Sequence, residues 1–426
     1  MNKVSYENID LDVYTEVLDN GLRVFLTKIE RNEIHARITS LYGGSVVEFK
    51  NKKDKEYTKV PAGIAHFLEH KMFEKKDYDP LQIYEKNGAS ANAFTTEEIT
   101  SYHFTGIHNF YDNLNTLLKC VHEPYFTDEN VEKEKGIISQ EKKEDLDSVY
   151  YITRDKAFEN TFKYSGYKNT VLGSLDEINN MTKEDLYKVY NTFYHPSNMV
   201  LTISGGIDIE KTMKFIKDFY NKRDFGEKKE IVLKEVDEPK EVVKKKEIIY
   251  KDMNSKEIYI NYKIKKNAKM NDKFKTICFL NMFLQMNFGG LSALSDITFK
   301  DKNYLAPINF SLLVADDVYV LQFNITAKND TEAVINLIDD TLKAKNVDEK
   351  IFNLLKKNNI SFLITSTENT KSICYEIVSQ IKNYETLIPN IYDRLFNLKF
   401  NDFKTLVESL DLNNRAVVIL ESKKDD

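Results

Sequence analysis

The sequence predicts an α+β protein of two similarly built halves, each a mostly antiparallel sheet packed against several helices. Three observations predict it. Short runs with apolar residues at every second position open each half, and longer runs with apolar residues at helical spacing follow them. A final strand closes each half, NMVLTISGG at 198–206 in the first and RAVVILES at 415–422 in the second. The halves share element order with little identity, which points to an old duplication.

VYTEVLDNGLRVFLTKIE, 13–30, sets an Asn-Gly pair between two alternating runs, which predicts a β-hairpin because both residues accept the positive φ of a tight turn. HARITSLYGGSVVEF, 35–49, predicts a strand running into a turn. A helix is expected from about 61 to 75, with Pro61 in its first turn and Ile64, Leu68 and Met72 on its core side, and another at 79–87. GASANAF, continuing toward SYHFTGI, reads as extended chain. FYDNLNTLLKCV, DENVEKEKGIISQEKKED and KEDLYKVYNTFY read as helices, and DIEKTMKFIKDFYN follows the NMVLTISGG strand as one more. GEKKEIVLKEVDEPKEVVKKKEIIY, 226–250, is charged and contains Pro239, and is expected to link a domain over 1–225 to one over 251–426. The second half then offers EIYINYKI as a strand, KTICFLNMFLQMNF as a helix, INFSLLV and VYVLQFNIT as paired strands, and helices from 331 to 387.

At 426 residues the chain can bury a large core, and 42% hydrophobic with 30% charged residues excludes disordered and collagen-like classes. The net charge of −6 comes from 61 basic and 67 acidic residues that are interspersed, so no basic face predicts a nucleic-acid partner. Neither a signal-like start nor an apolar run near membrane-spanning length is found, so a soluble, cytoplasmic protein without membrane contact is expected. Cys120, Cys278 and Cys374 are odd in number and widely spaced, and are expected as buried small hydrophobes.

One stretch carries chemistry. PAGIAHFLEHKMFEKKD, 61–77, sets His66 and His70 four apart in a chain with only seven histidines, so both imidazoles lie on one helix face and can reach a single ion. Glu69 shares that face, giving the inverted zincin pattern HxxEH. A further ligand is needed, and VEKEKGIISQEKKED offers Glu134 and Glu141, seven apart on one face of a helix. GASANAFT reads either as a strand whose small side chains let another backbone approach or as a structural strand with a Gly bend. His103 and His108 are expected to serve the fold, on opposite faces of a sheet.

Taken together, HFLEH, GASANAFT at 88–95, EKEKGIISQE at 132–141, LGSLDEI at 172–178 and YHPSNM at 194–199 resemble the M16 metallopeptidases, the family of pitrilysin, insulin-degrading enzyme and the mitochondrial processing peptidase. FLEHKMFEKKD, YFTDENVEKEKGII and FYHPSNM are most similar to the zinc-bearing member of paired M16B peptidases in Gram-positive bacteria. The resemblance is strong over the first half; over the second it is one of length and element order. It implies a LuxS/M16-like metallohydrolase fold with one Zn²⁺ per chain held by His66, His70 and Glu141. It also implies Glu69 as general base, Glu134 supporting the site from behind, and Ala91, Asn92, Ala93 and Phe94 as edge-strand residues that pair with an extended peptide.

The sequence departs from the family in the second half, where members that complete their own site carry an Arg and a Tyr after a Gly-rich turn to stabilise the oxyanion. NFGGLSALSDITFKDKNYLAP, 287–307, has Gly289 and Gly290 but no arginine; Lys300 and Tyr304 are the nearest substitutes. The resemblance therefore implies the catalytic member of a heterodimer, processing peptides or removing leaders, with a second M16 subunit supplying the Arg/Tyr pair. A self-sufficient homodimer degrading short peptides is the alternative, as is a non-catalytic binding subunit, against which the intact His66, Glu69, His70 and Glu141 argue.

Overall fold

The computed structural model describes residues 1–423. Strands β1 (Asn2–Tyr6), β2 (Leu11–Val17), β3 (Arg23–Lys28), β4 (Ile34–Ser40), β5 (Glu48–Asn51) and β6 (Thr58–Lys59) precede helices α1 (Ile64–Lys71) and α2 (Pro80–Lys86). Then come β7 (Ser90–Thr95), β8 (Thr100–Gly106), α3 (Phe110–His122), α4 (Asp128–Asp147), α5 (Val149–Thr161), α6 (Leu175–Asn180), α7 (Lys183–Phe193), β9 (Met199–Gly205) and α8 (Ile209–Asn221). The second half runs β10 (Ile231–Leu233), β11 (Lys246–Tyr250), β12 (Lys256–Lys265), α9 (Lys273–Phe288), α10 (Ala293–Lys300), β13 (Asn309–Ala315), β14 (Val318–Ala327) and α11 (Thr331–Ala344). It ends with α12 (Glu349–Ser366), α13 (Thr370–Tyr384), α14 (Ile391–Phe396), α15 (Phe400–Glu408) and β15 (Arg415–Glu421).

The first unit comprises Met1–Lys142, Thr170–Lys234 and Phe362–Tyr392. Its seven-stranded sheet has the order β1-β2-β3-β9-β4-β8-β7, antiparallel except where β3 meets β9, and a small sheet β10-β5-β6 stands beside it. The second unit comprises Lys143–Asn169, Glu235–Ser361 and Asp393–Asp426, with a sheet ordered β11-β15-β12-β14-β13 whose one parallel pair is β11 with β15. The run β3-β9-β4-β8-β7 thus recurs as β11-β15-β12-β14-β13, parallel pair included, which is the α+β duplication that the repeated element order predicts. Each half lends a helix: α5 packs on β12 and β15 in the second unit, and α13 on β4 and β9 in the first.

Period-two alternation decides what each sheet face sees. In β4, Ala36 and Ile38 join Leu26, Leu201, Ile203, Tyr102 and Phe104 in a core with Leu68 of α1, Leu117 of α3 and Val189 of α7. His35, Arg37 and Thr39 take the other face, where the thiol of Cys374 on α13 donates to the carbonyl of His35.

Four expectations are corrected. The helix expected over 61–75 is only Ile64–Lys71, because Gly63 at φ +86° sets its start and leaves Pro61 outside. The stretch 226–250 does more than connect, since β10 pairs with β5 and β11 with β15. Within it the Glu238 carboxylate is buried, accepting from the backbone N–H groups of Lys163, Tyr164 and Ser165 at 2.6 to 2.9 Å and from Lys263 Nζ at 2.7 Å. His108 lies beyond the end of β8, so it shares no sheet with His103. Cys120 and Cys374 are buried, whereas Cys278 is half-buried. Among the described residues no helix is long and apolar enough to cross a membrane.

Candidate metal centre

The start of α1 is held by LGSLDEI. A Cβ on Gly63 would lie 2.2 Å from the carbonyl oxygen of Leu172, so only glycine lets the two segments meet. Ala62 N–H donates to Glu177 Oε1 at 3.0 Å, while Glu177 and Ser174 form the capping box that opens α6. With the helix start fixed, Ile64, Leu68 and Met72 are fully buried on the core side.

His66 and His70 follow one turn apart, their ring centroids separated by 4.6 Å. Opposite them α4 brings Glu141, whose Oε1 is 3.8 Å from His66 Nε2 and whose Oε2 is 3.6 Å from His70 Nε2. One donor atom from each residue lies within 4.8 Å of the others. Two turns earlier on α4, Glu134 Oε1 is 3.0 Å from His70 Nδ1. An ionised carboxylate only accepts, so His70 carries its proton on Nδ1 and turns the Nε2 lone pair toward Glu141. Glu134 is itself tethered: its Oε2 is 3.6 Å from Nζ of the fully buried Lys71, which also donates to the carbonyl of Asn130 at 3.0 Å and pairs with Glu74.

Electrostatics act on the two rings in opposite directions. Burial, helped by repulsion from His70, pushes His66 down to about 3, which keeps the imidazole an available ligand. Burial also opposes a charged His70, but the hydrogen bond with Glu134 and the charges of Glu134, Glu141 and Glu69 outweigh it and raise that group. Against burial, the His70 hydrogen bond and the Lys71 charge hold the Glu134 carboxyl below its usual range.

The donor set fits zinc. Two imidazole nitrogens and a carboxylate are ordinary ligands of that ion, and Glu141 comes within 3.8 Å of His66 through one oxygen and within 3.6 Å of His70 through the other, near the spacing of about 3.4 Å that bonds of about 2.0–2.1 Å in a tetrahedral site require. His66 Nδ1 is buried and finds no protein partner, so Nε2 is the atom this ring presents.

Glu69 faces the same side, and its Oε2 accepts from Thr95 Oγ1 at 2.7 Å. Burial raises its carboxyl, and Glu141 adds to this while Thr95 and His70 oppose it. Thr95 ends β7, the edge strand of the sheet, so this bond ties α1 to that edge. In β7 Ala91 and Ala93 share the face of Phe104 and Tyr102, their partners in β8, while Asn92 and Phe94 take the opposite face. The Ala93 N–H donates to Asn92 Oδ1 at 2.8 Å.

His66, Glu69, His70, Glu134 and Glu141 thus converge, and Ala91, Asn92, Ala93 and Phe94 form the neighbouring edge. Lys300 and Tyr304 belong to the second unit: Lys300 ends α10 exposed to solvent, and Tyr304 forms an isolated bridge with Ala327. Sequence reasoning passed over Thr95, Lys71 and the Glu177 brace. The Ser174-x-x-Glu177 box was a readable signal for the last; nothing local marks a lysine for burial.

Residues 55–175 match the insulinase family, peptidase family M16, and residues 180–359 match the M16 inactive domain. The chain belongs to the M16 family. It is 36% identical over 292 residues to YmfH of Bacillus subtilis, described as an uncharacterized zinc protease, covering 68% of each chain. It is 25% identical over 210 residues to a probable mitochondrial-processing peptidase subunit beta of Arabidopsis thaliana, spanning 48% of this chain and 38% of that protein. Among solved structures, an M16-like peptidase from Alicyclobacillus acidocaldarius superposes with a TM-score of 0.89 at 24% identity, covering 97% of this chain and 99% of that one. The fold is therefore that of the M16-like peptidases, and the family ties the chain to peptidase chemistry at a divalent metal, typically zinc.

Proposed function

We propose that this protein is a zinc-dependent endopeptidase acting on extended peptides, and that it is the catalytic subunit of an M16B heterodimer. The observation that carries the reading is the convergence of His66, His70 and Glu141 donor atoms within 4.8 Å, beside Glu69 and an edge strand. In this reading those three residues hold one Zn²⁺, and Glu134 fixes the His70 ring from behind. Zinc, when bound, lowers the pKa of water toward neutrality and polarises the scissile carbonyl. Glu69, anchored through Oε2 by Thr95, takes the proton of the attacking water on its other oxygen and hands it to the leaving amine. β7 receives the peptide as an added strand; main-chain pairing of this kind suits processing or leader removal, because it grips backbone rather than side chains.

The partner requirement rests on chemistry missing from this chain. No arginine occurs between Arg223 and Arg394, a span that includes the whole Gly289-Gly290 region. A second M16 subunit supplying an Arg/Tyr pair would restore the groups that stabilise the oxyanion. We also assign the protein to the cytoplasm, in keeping with its three free cysteines.

The test is hydrolysis of a quenched, unstructured peptide library by the full chain loaded with one equivalent of zinc, alone and with a neighbouring M16 chain that lacks HxxEH. Zinc binding without cleavage alone, and cleavage on adding the partner, are expected. Robust cleavage by the lone chain that Glu69→Gln abolishes would overturn the partner requirement in favour of a homodimer. Cleavage that survives Glu69→Gln, or metal binding that survives His70→Ala, would overturn the site.

A further inference from the structure

The sheet face turned away from α1 carries a row of side chains that the chemistry above does not use. Register sets Arg37 of β4 opposite His103 of β8, and His103 opposite Asn92 of β7, so the three line up toward the edge of the sheet. Arg37 is 6% exposed, and its Nε and Nη1 meet no acceptor. Among the described residues no carboxylate pairs with it. Its neighbours are the rings of Phe94, whose centroid is 5.2 Å from the guanidinium carbon, and of Tyr375 on α13, at 5.7 Å. The face is positive: after burial, Arg37 and Lys371 help push His103 down to about 4, and Arg37, His103 and Lys371 help push His35 down to about 3, so both imidazoles stay neutral. An enclosed guanidinium without an anion is costly, and walls of low polarity strengthen any anion that reaches it.

Distance permits such an anion to come from a peptide. Neighbouring strands lie about 4.8 Å apart, and the Arg37 and Phe94 side chains together bridge the two intervals from β4 to β7, with the guanidinium carbon 5.2 Å from the ring centroid. A strand added to β7 sits one further interval out, so an acidic side chain on its Asn92 face extends back toward the guanidinium along the same row. Alternation divides the side chains of that strand between two faces. One set lies on the side of Ala91, Ala93 and Thr95 with Glu69, and the other on the side of Asn92 and Phe94.

We propose that Arg37 is a specificity-determining residue that receives a carboxylate of the bound peptide, carried by an acidic side chain on the Asn92 face, with His103 and Asn92 lining its approach. The proposal rests on the edge-strand reading given above and names the substrate class for it: peptides with an acidic residue near the cleavage position.

The test measures binding, so that it does not depend on turnover or on a partner. Full-length, zinc-loaded Glu69→Gln protein is titrated with fluorescent unstructured peptides in which Glu, Gln or Lys is walked through the sequence, each with a free or an amidated C-terminus. We expect one Glu position in the amidated series to bind at least about tenfold more tightly than its Gln counterpart. That ratio should fall to about 1 in an Arg37→Met background. Asn92→Asp, an exposed change that places a competing carboxylate at the approach, should also erase it. Discrimination confined to peptides with a free C-terminus would replace the acidic side chain with the terminal carboxylate and overturn the substrate class. A Glu-to-Gln ratio that Arg37→Met and Asn92→Asp both leave unchanged overturns the role of Arg37. Absence of peptide binding would remove the edge-strand reading and this proposal with it, whereas selective binding without cleavage in any assembly would remove the peptidase reading and leave Arg37 its role.

Discussion

The two units share a sheet topology, yet all seven histidines of the chain lie in the first and none in the second. The contrast extends to the polar layer under the exchanged helices. In the second unit the row on β12, β14 and β13 is closed: Ser311 Oγ donates to Gln322 Oε1 at 3.2 Å, Gln322 Nε2 to Asn261 Oδ1 at 3.3 Å, and Asn261 Nδ2 to Thr161 Oγ1 of α5 at 3.0 Å. In the first unit the row from β4 to β7 ends in a guanidinium with two unpaired nitrogens. The row is closed by hydrogen bonds in one copy of the fold, and in the other it keeps an arginine and a histidine with unpaired nitrogens near an edge strand. The difference teaches that a duplicated scaffold fixes strand order and not side-chain pairing, which each copy settles for itself.

The largest effects should come from the two fully buried lysines, Lys71 in the first unit and Lys263 in the second. Removing one partner of a buried ion pair strands the other charge, so Lys71→Met and Lys263→Met should each cost about 3–5 kcal/mol in urea unfolding. Only Lys71→Met should also weaken zinc, by about 10–100-fold in a competition titration, because Lys71 tethers the Glu134 that orients His70. Equal zinc affinities in the two variants would break the distinction.

Acid should separate the units next. Burial holds His35 and His122 down at about 3, below the ordinary value near 6.5. As pH falls below about 6.5 the unfolded chain takes up protons that the folded unit refuses, so stability is lost between there and about 3. By pH 5 the loss is on the order of 2 kcal/mol for each of these histidines. Peptide-resolved hydrogen exchange at pH 7.5 and 5, corrected for intrinsic rates, should show the first unit losing protection while the second keeps it. Parallel losses would show that the units open as one block.

Two smaller effects sharpen the site. Thr95→Val removes the hydrogen bond that aims Glu69, and kcat should fall about tenfold with KM nearly unchanged; a KM effect instead would assign Thr95 to peptide binding. Asn92→Ala frees the Ala93 N–H from its local acceptor and should shift KM for an unstructured peptide by no more than about threefold, read from initial rates.

What the sequence disclosed was local. HxxEH at helical spacing sets two imidazoles and a carboxylate on one face whatever the helix packs against, and the seven-residue interval does the same for Glu134 and Glu141. The Asn20-Gly21 turn, the alternating strands and the helical runs were legible for the same reason, since each depends on neighbours within a turn or a pleat. The charge of 226–250 misled because a buried carboxylate such as Glu238 reads like a solvated one until its three N–H donors and Lys263 arrive from distant segments. The exchange of α5 and α13 left no trace in the chain, because amphipathic spacing states that a face is buried and not against which sheet. Tertiary structure alone decided that Glu141 faces both histidines, that Thr95 holds Glu69, and that Arg37, His103 and Asn92 form one row. Each of these follows from strand register or from the packing of helices on one another and on strands, which join residues dozens of positions apart and are set by the whole core rather than by any stretch of sequence.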